Sequence, residues 1–262
     1  MFRKKMLVLA LFSTYFLSIE VVPNGSFPAL LAFGDSIADT GNNNHLLIFM
    51  KGNYWPYGWN FDLKIPTGRF GNGRVFSDIV GGAGVDPVTS EIVRVLSPAD
   101  QVRDVKGYIR KLKGVVGNSK AKEIVANAVI LVSQGNNDIG ITYSIHDAGM
   151  RLMTPNNVYI NIYTSKLVGW NKKFMKDLYD QGARKFAVMG LIPLGCLPVS
   201  RVVFWYGVTS LANQISEDYN KKLKSGIKSW GRESDFSGAR FVYVDMYNSL
   251  MNVINNHRKY ST

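Results

Sequence analysis

Apolar runs of strand length recur along this chain, and each breaks off into a polar or glycine-bearing turn. Residues 27–33 stop at Gly34-Asp35-Ser36, and residues 126–133 stop at Gly135-Asn136-Asn137-Asp138. Residues 185–193 run into Leu194-Gly195, and a fourth run covers 240–246. Between them, residues 98–115, 158–181 and 212–230 carry apolar side chains at helical spacing. A strand that is apolar on both sides is buried on both faces, and strands alternating with helices can meet that demand in a parallel sheet covered by helices. The pattern therefore predicts an α/β fold, and 262 residues predict a single domain. No internal repeat or low-complexity tract interrupts it.

In such a sheet, ligands sit beyond the carboxyl ends of the strands. The turns at Ser36 and at Asn137 both follow strands at that end, so two segments far apart in sequence are expected to converge. Residues 41–73, rich in Gly, Asn, Pro and aromatics, read as a long loop region of the kind that carries function. A serine on a sharp turn after a buried strand is well placed to attack a carbonyl, given a base for its proton and donors for the oxyanion. Ser36 fits the nucleophile position. Its own backbone N–H is one candidate donor, the Asn137 amide another, and a glycine N–H suits the third place because the substrate can approach it closely.

Composition narrows the class. Hydrophobic residues make up 46% and charged residues 19%, which supports a packed core. The formal net charge of +12 raises the question of anionic partners. However, the basic clusters, Arg110-Lys111-Leu112-Lys113, Lys172-Lys173 and Lys221-Lys222-Leu223-Lys224, fall in segments that read as amphipathic helices, where solvated faces account for them. No zinc-finger or RNA-binding signature accompanies the charge, so no nucleic-acid partner is expected. The single cysteine, Cys196, excludes a disulfide within the chain and reads as a structural thiol. At the N-terminus, Arg3, Lys4 and Lys5 precede an apolar run over 6–17 that is short for a bilayer span. Residues 1–25 are therefore expected to be a secretory signal peptide, and 26–262 a secreted, extracellular domain with the cell wall as one destination. Asn24-Gly25-Ser26 is a glycosylation sequon close to that junction.

Several blocks together carry a resemblance. The stretch Phe33-Gly34-Asp35-Ser36-Ile37-Ala38-Asp39-Thr40-Gly41-Asn42-Asn43 resembles the first block of the plant GDSL esterase/lipase family within the SGNH hydrolases. Pro66-Thr67-Gly68-Arg69-Phe70-Gly71-Asn72-Gly73-Arg74 resembles the stretch that follows it there. Gly81-Gly82-Ala83-Gly84 resembles the second block, Gly135-Asn136-Asn137-Asp138 the third, and residues 191–198 are also similar. The resemblance implies a flavodoxin-like three-layer α/β/α fold that hydrolyses carboxylic esters, often lipids, without metal or other cofactor. It implies Ser36 as nucleophile and first oxyanion donor, Gly82 as second donor with Gly81 the alternative, and Asn137 as third. Asp35 is expected to support the turn. Local hydrogen bonding to turn backbone is the expected role of Asp138 as well.

Two departures from the family pattern stand out. The family closes on an Asp-x-x-His block whose histidine is the base. Here the residues three before His45, His146 and His257 are Asn42, Tyr143 and Ile254. The catalytic histidine is therefore not assigned. Secondly, Val80 abuts Gly81 where family members carry a longer segment, which predicts uncovered apolar surface. The two departures leave an alternative expectation: a catalytically silent relative that binds a ligand or partner through the same cleft, or a shortened splice or gene-model product.

Overall fold

A computed structural model describes residues 27–34, 53–55, 57–59, 64–66, 84–93, 96–146, 156–197, 200 and 207–260. Four parallel strands form one sheet in the order β1-β2-β3-β4: Leu30–Gly34, Val129–Ser133, Lys185–Met189 and Arg240–Val244. Helices α1 (Pro87–Val93), α2 (Pro98–Val116) and α3 (Asn118–Asn127) lie between β1 and β2. A π-helix (Asp138–His146) and α4 (Asn156–Asp180) follow β2, α5 (Gly207–Trp230) follows β3, and α6 (Met246–Asn255) and α7 (His257–Tyr260) follow β4. The sheet is flanked by helices in the three-layer α/β/α arrangement expected from the sequence.

Local signals explain where the helices begin and end. Ser97 and Asp100 form a reciprocal capping box, with Asp100 N–H donating to Ser97 Oγ at 3.1 Å and Ser97 N–H to Asp100 Oδ2 at 3.0 Å, while Pro98 occupies the first turn. Gly117, at φ +80°, ends α2 where a side chain would be strained. The three basic clusters lie on α2, α4 and α5, with Arg110, Lys111, Lys113, Lys173, Lys221 and Lys224 exposed and Leu223 buried.

The core sits where β1 to β4 meet α4 and α5. Leu31 and Phe33 of β1 share a sheet face with Ile130 and Val132 of β2, Phe186 and Val188 of β3, and Phe241 of β4. Phe174 of α4 meets Phe33 edge-on at 5.9 Å between ring centroids, and Phe186 stacks on Phe241 at 4.9 Å. Trp230 and Phe236 close that layer against Phe241 at 6.3 and 5.1 Å. On the opposite face Ala32 and Leu131 are buried, but Val242 of β4 is 46% exposed.

Several boundaries differ from the sequence expectation. Residues 126–127 belong to the end of α3, and β2 starts only at Val129. β3 stops at Met189; Gly190 N–H still donates to Val244 O at 2.9 Å, and Asn220 then takes over Leu191, its Oδ1 accepting from Leu191 N–H at 2.7 Å and its Nδ2 donating to Leu191 O at 3.0 Å. β4 stops at Val244, because Asp245 accepts from Asn248 N–H at 3.0 Å and starts α6.

Candidate active site

The first three strands deliver their carboxyl ends to one edge. Gly34, the last residue of β1, is in register with Ser133, the last residue of β2. It has φ +150°, and a Cβ there would stand 1.8 Å from Ser133 O. Only glycine allows the carboxyl end of β1 to come this close to β2. Asp35 and Ser36 themselves lie outside the described residues, as do Gly81 and Gly82.

Beyond β2, Gly135 adopts φ +115°, and a Cβ there would press on Leu191 Cδ2 at 2.9 Å. Asn136 is buried, and its Oδ1 accepts from Ile192 N–H at 3.4 Å, which ties the β2 turn to the segment leaving β3. Asn137 is half-buried beside it. The chain then winds into the π-helix. Tyr143 of that helix packs with Tyr159 and Tyr163 of α4, each at 5.4 Å.

Asp138 departs from expectation. It is fully buried, and its carboxylate does not serve its own turn. Oδ2 accepts from Val85 N–H at 3.1 Å, and Oδ1 accepts from Asp86 N–H at 2.8 Å and from Thr89 Oγ1 at 2.7 Å. Thr89 and Thr142 hydroxyls lie 2.6 Å apart; with Thr89 donating to the carboxylate, Thr142 donates to Thr89. Tyr163 Oη donates within reach of Asp138 O at 3.1 Å and Asp86 Oδ2 at 3.2 Å. Asp86 Oδ1 accepts from Val88 N–H at 2.9 Å and so holds the first turn of α1. Gly84 completes the contact, since a Cβ there would meet Asp138 Oδ1 at 2.5 Å and Thr89 Cγ2 at 2.6 Å. Burial pushes the Asp138 carboxyl up to about 6; the Thr89 hydroxyl and the two amides pull it back, and the Asp86 charge raises it further.

The remaining expected residues scatter. His45 lies outside the described residues, as does the side chain of His146, the last residue of the π-helix. His257 is exposed on α7, with Nδ1 3.3 Å from Ile254 O. Cys196 is free, 3.8 Å from Met251 Sδ and 3.5 Å from Asn213 Nδ2. Among the described residues no group of three His, Cys, Asp or Glu side chains is placed to hold a metal, and no helix is long and apolar enough to cross a membrane. Sequence reasoning missed Asp86, Thr89 and Tyr163. The one available signal was Asp86-Pro87, a capping residue followed by a proline at a helix start.

A family model, GDSL-like Lipase/Acylhydrolase, matches residues 30–262. Among curated proteins the chain is similar to GDSL esterase/lipase EXL5 of Arabidopsis thaliana, 69% identical over 309 aligned positions that cover 99% of this chain and 85% of the relative. It is 60% identical to GDSL esterase/lipase EXL4 and 50% identical to GDSL esterase/lipase EXL6 of the same plant, each over 99% of this chain and 84% of the relative. An alignment of 309 positions exceeds the 262 residues present here, so EXL5 carries residues inside the matched span that have no counterpart in this chain.

Proposed function

The chain belongs to the GDSL-like lipase/acylhydrolase family, and from that premise we propose that it is a secreted serine ester hydrolase in which Ser36 attacks the carbonyl of a small-molecule or lipid ester. The observation that carries this reading is the register of Gly34 with Ser133. It puts Gly34, the residue before Asp35-Ser36, beside Ser133, two residues before Gly135, at the carboxyl ends of neighbouring strands. In the proposed reaction Ser36 Oγ bonds to the acyl carbon and the alcohol leaves. Water then hydrolyses the acyl-enzyme. The oxyanion formed at each step is held by the N–H groups of Ser36 and Gly82, with Gly81 the alternative, and by the Asn137 amide. The basic n-region and apolar run at the N-terminus support secretion.

Turnover of a short-chain ester by purified protein tests the reading against Ser36→Ala. A fall of at least about a thousandfold is expected. Equal rates in the two proteins would remove the claim.

A second reading has its own observation. None of His45, His146 and His257 follows an aspartate at the family spacing. In this reading the cleft binds an acyl or ester ligand without turning it over. A fluorophosphonate probe separates the two, because rapid labelling at Ser36 requires an activated serine.

A further inference from the structure

The carboxylate of Asp138 is committed to chain 49 to 53 residues away in sequence. Apolar contacts between the π-helix and α1 could fill the same space without desolvating a charge. What a carboxylate adds is direction. Two N–H vectors, from Val85 and Asp86, and one hydroxyl, from Thr89, converge on its two oxygens. Asp86 and Tyr163 are the other polar groups facing it, and Thr142 stands behind Thr89. Asp138 stands next to two of the sequence blocks. Asn137 is its neighbour in the chain. Gly84, which its Oδ1 leaves no room to enlarge, ends the Gly81-Gly82-Ala83-Gly84 block.

We propose that Asp138 is a positioning residue for ester hydrolysis: it fastens the turn that carries Asn137 to the segment 85–89, so that one buried side chain fixes where that oxyanion donor stands. The proposal rests on the ester-hydrolase reading above. An oxyanion donor is worth a factor of about 100 to 1,000 in kcat, and a displacement of about an ångström costs about a hundredfold. Asp138→Asn keeps the shape but replaces one acceptor oxygen by an NH2 group, so one of the two amides faces a donor.

The test uses the full chain at neutral pH with a short-chain ester, alongside hydrogen exchange of the peptide spanning residues 84–88. Asp138→Asn is expected to lower kcat by about a hundredfold with KM within about threefold, and to raise exchange in that peptide by about tenfold or more, while the melting temperature does not fall. A purely structural role predicts the opposite coupling, with activity tracking stability. Thr89→Val is expected to lower kcat by about tenfold, and Thr89→Ser, which keeps the hydroxyl, to restore it. This pair decides the matter if Asp138→Asn does not fold. A folded Asp138→Asn with unchanged exchange at 84–88 or unchanged kcat would overturn the proposal, as would equal kcat in the two Thr89 variants. Ester turnover that survives Ser36→Ala would remove the ester-hydrolase reading alone, and the exchange comparison would still decide whether this carboxylate holds the segment.

Discussion

Substituting Asp138 by asparagine should reverse its effect on stability as pH rises. The carboxyl has an ordinary value of 3.8 and is pushed up to about 6 in the folded chain, chiefly by burial. The folded chain therefore holds this proton more tightly than the unfolded chain. Its stabilising contribution is fully present below about pH 4 and is lost as pH climbs through about 6. The linked free energy is about 3 kcal/mol. Asparagine does not titrate, so the variant escapes that loss. It carries a fixed cost of about 1 kcal/mol, because its NH2 group has no lone pair to offer an amide N–H, whereas the hydroxyl oxygen of the protonated acid still accepts. The variant should thus be less stable than the wild type by about 1 kcal/mol at pH 4, and more stable by about 2 kcal/mol at pH 7.5. Urea unfolding at pH 4, 5, 6 and 7.5 measures the difference directly, and because both proteins share every other titrating group those groups cancel. A difference that stays flat to within about 0.5 kcal/mol over this range would refute the reasoning.

Three further outcomes follow from the geometry. Gly34→Ala forces a Cβ to within 1.8 Å of Ser133 O at a positive φ, and should cost more than about 3 kcal/mol or abolish soluble expression; Gly107→Ala on α2, where nothing lies within 4 Å, should instead gain about 0.5–1 kcal/mol in the same thermal melt. Asn220→Ala strips the acceptor from Leu191 N–H and the donor from Leu191 O, and should cost about 2–3 kcal/mol by chemical denaturation. Asn137→Ala should lower kcat for a short-chain ester by about 100 to 1,000-fold while leaving the unfolding midpoint within a few degrees, because Asn137 is only half-buried.

The parallel sheet was legible because its four strands are apolar runs closed by turn residues, and the long helices because their period is unmistakable. Boundaries were less so. Ala126-Asn127-Ala128 runs without a break into the apolar stretch at Val129, yet Ala128 is the cap of α3, and the register of Leu30 with Val129 decides where β2 begins. Gly190 and Leu191 look like strand in the sequence, but Asn220, 29 residues after Leu191, captures the N–H and O of Leu191. Their sequence blocks carry the expectation of Ser36, Gly82 and Asn137 as site residues. The work of Asp138 could not be read that way, since an aspartate in a turn reads as a local acceptor and its partners at 85, 86 and 89 announce themselves only in three dimensions. Val242 illustrates the converse: a strand valine reads as core, yet it is 46% exposed.

Gly84 alters how a glycine-rich block should be read. Its neighbours at 81 and 82 are candidates for approach by a substrate, but the space beside Gly84 is already occupied by Asp138 Oδ1 and the Thr89 methyl. Its smallness serves another part of the same chain. Positions 84 and 138 are consequently one mutational unit. A side chain can be tolerated at 84 only if both the carboxylate at 138 and the Thr89 side chain, whose methyl would lie 2.6 Å from the added Cβ, withdraw, and a double-mutant cycle between 84 and 138 should show strong epistasis. Redesign of this block for a bulkier substrate would therefore meet a wall at 84, built from the far side by a residue that never needs to touch the ester.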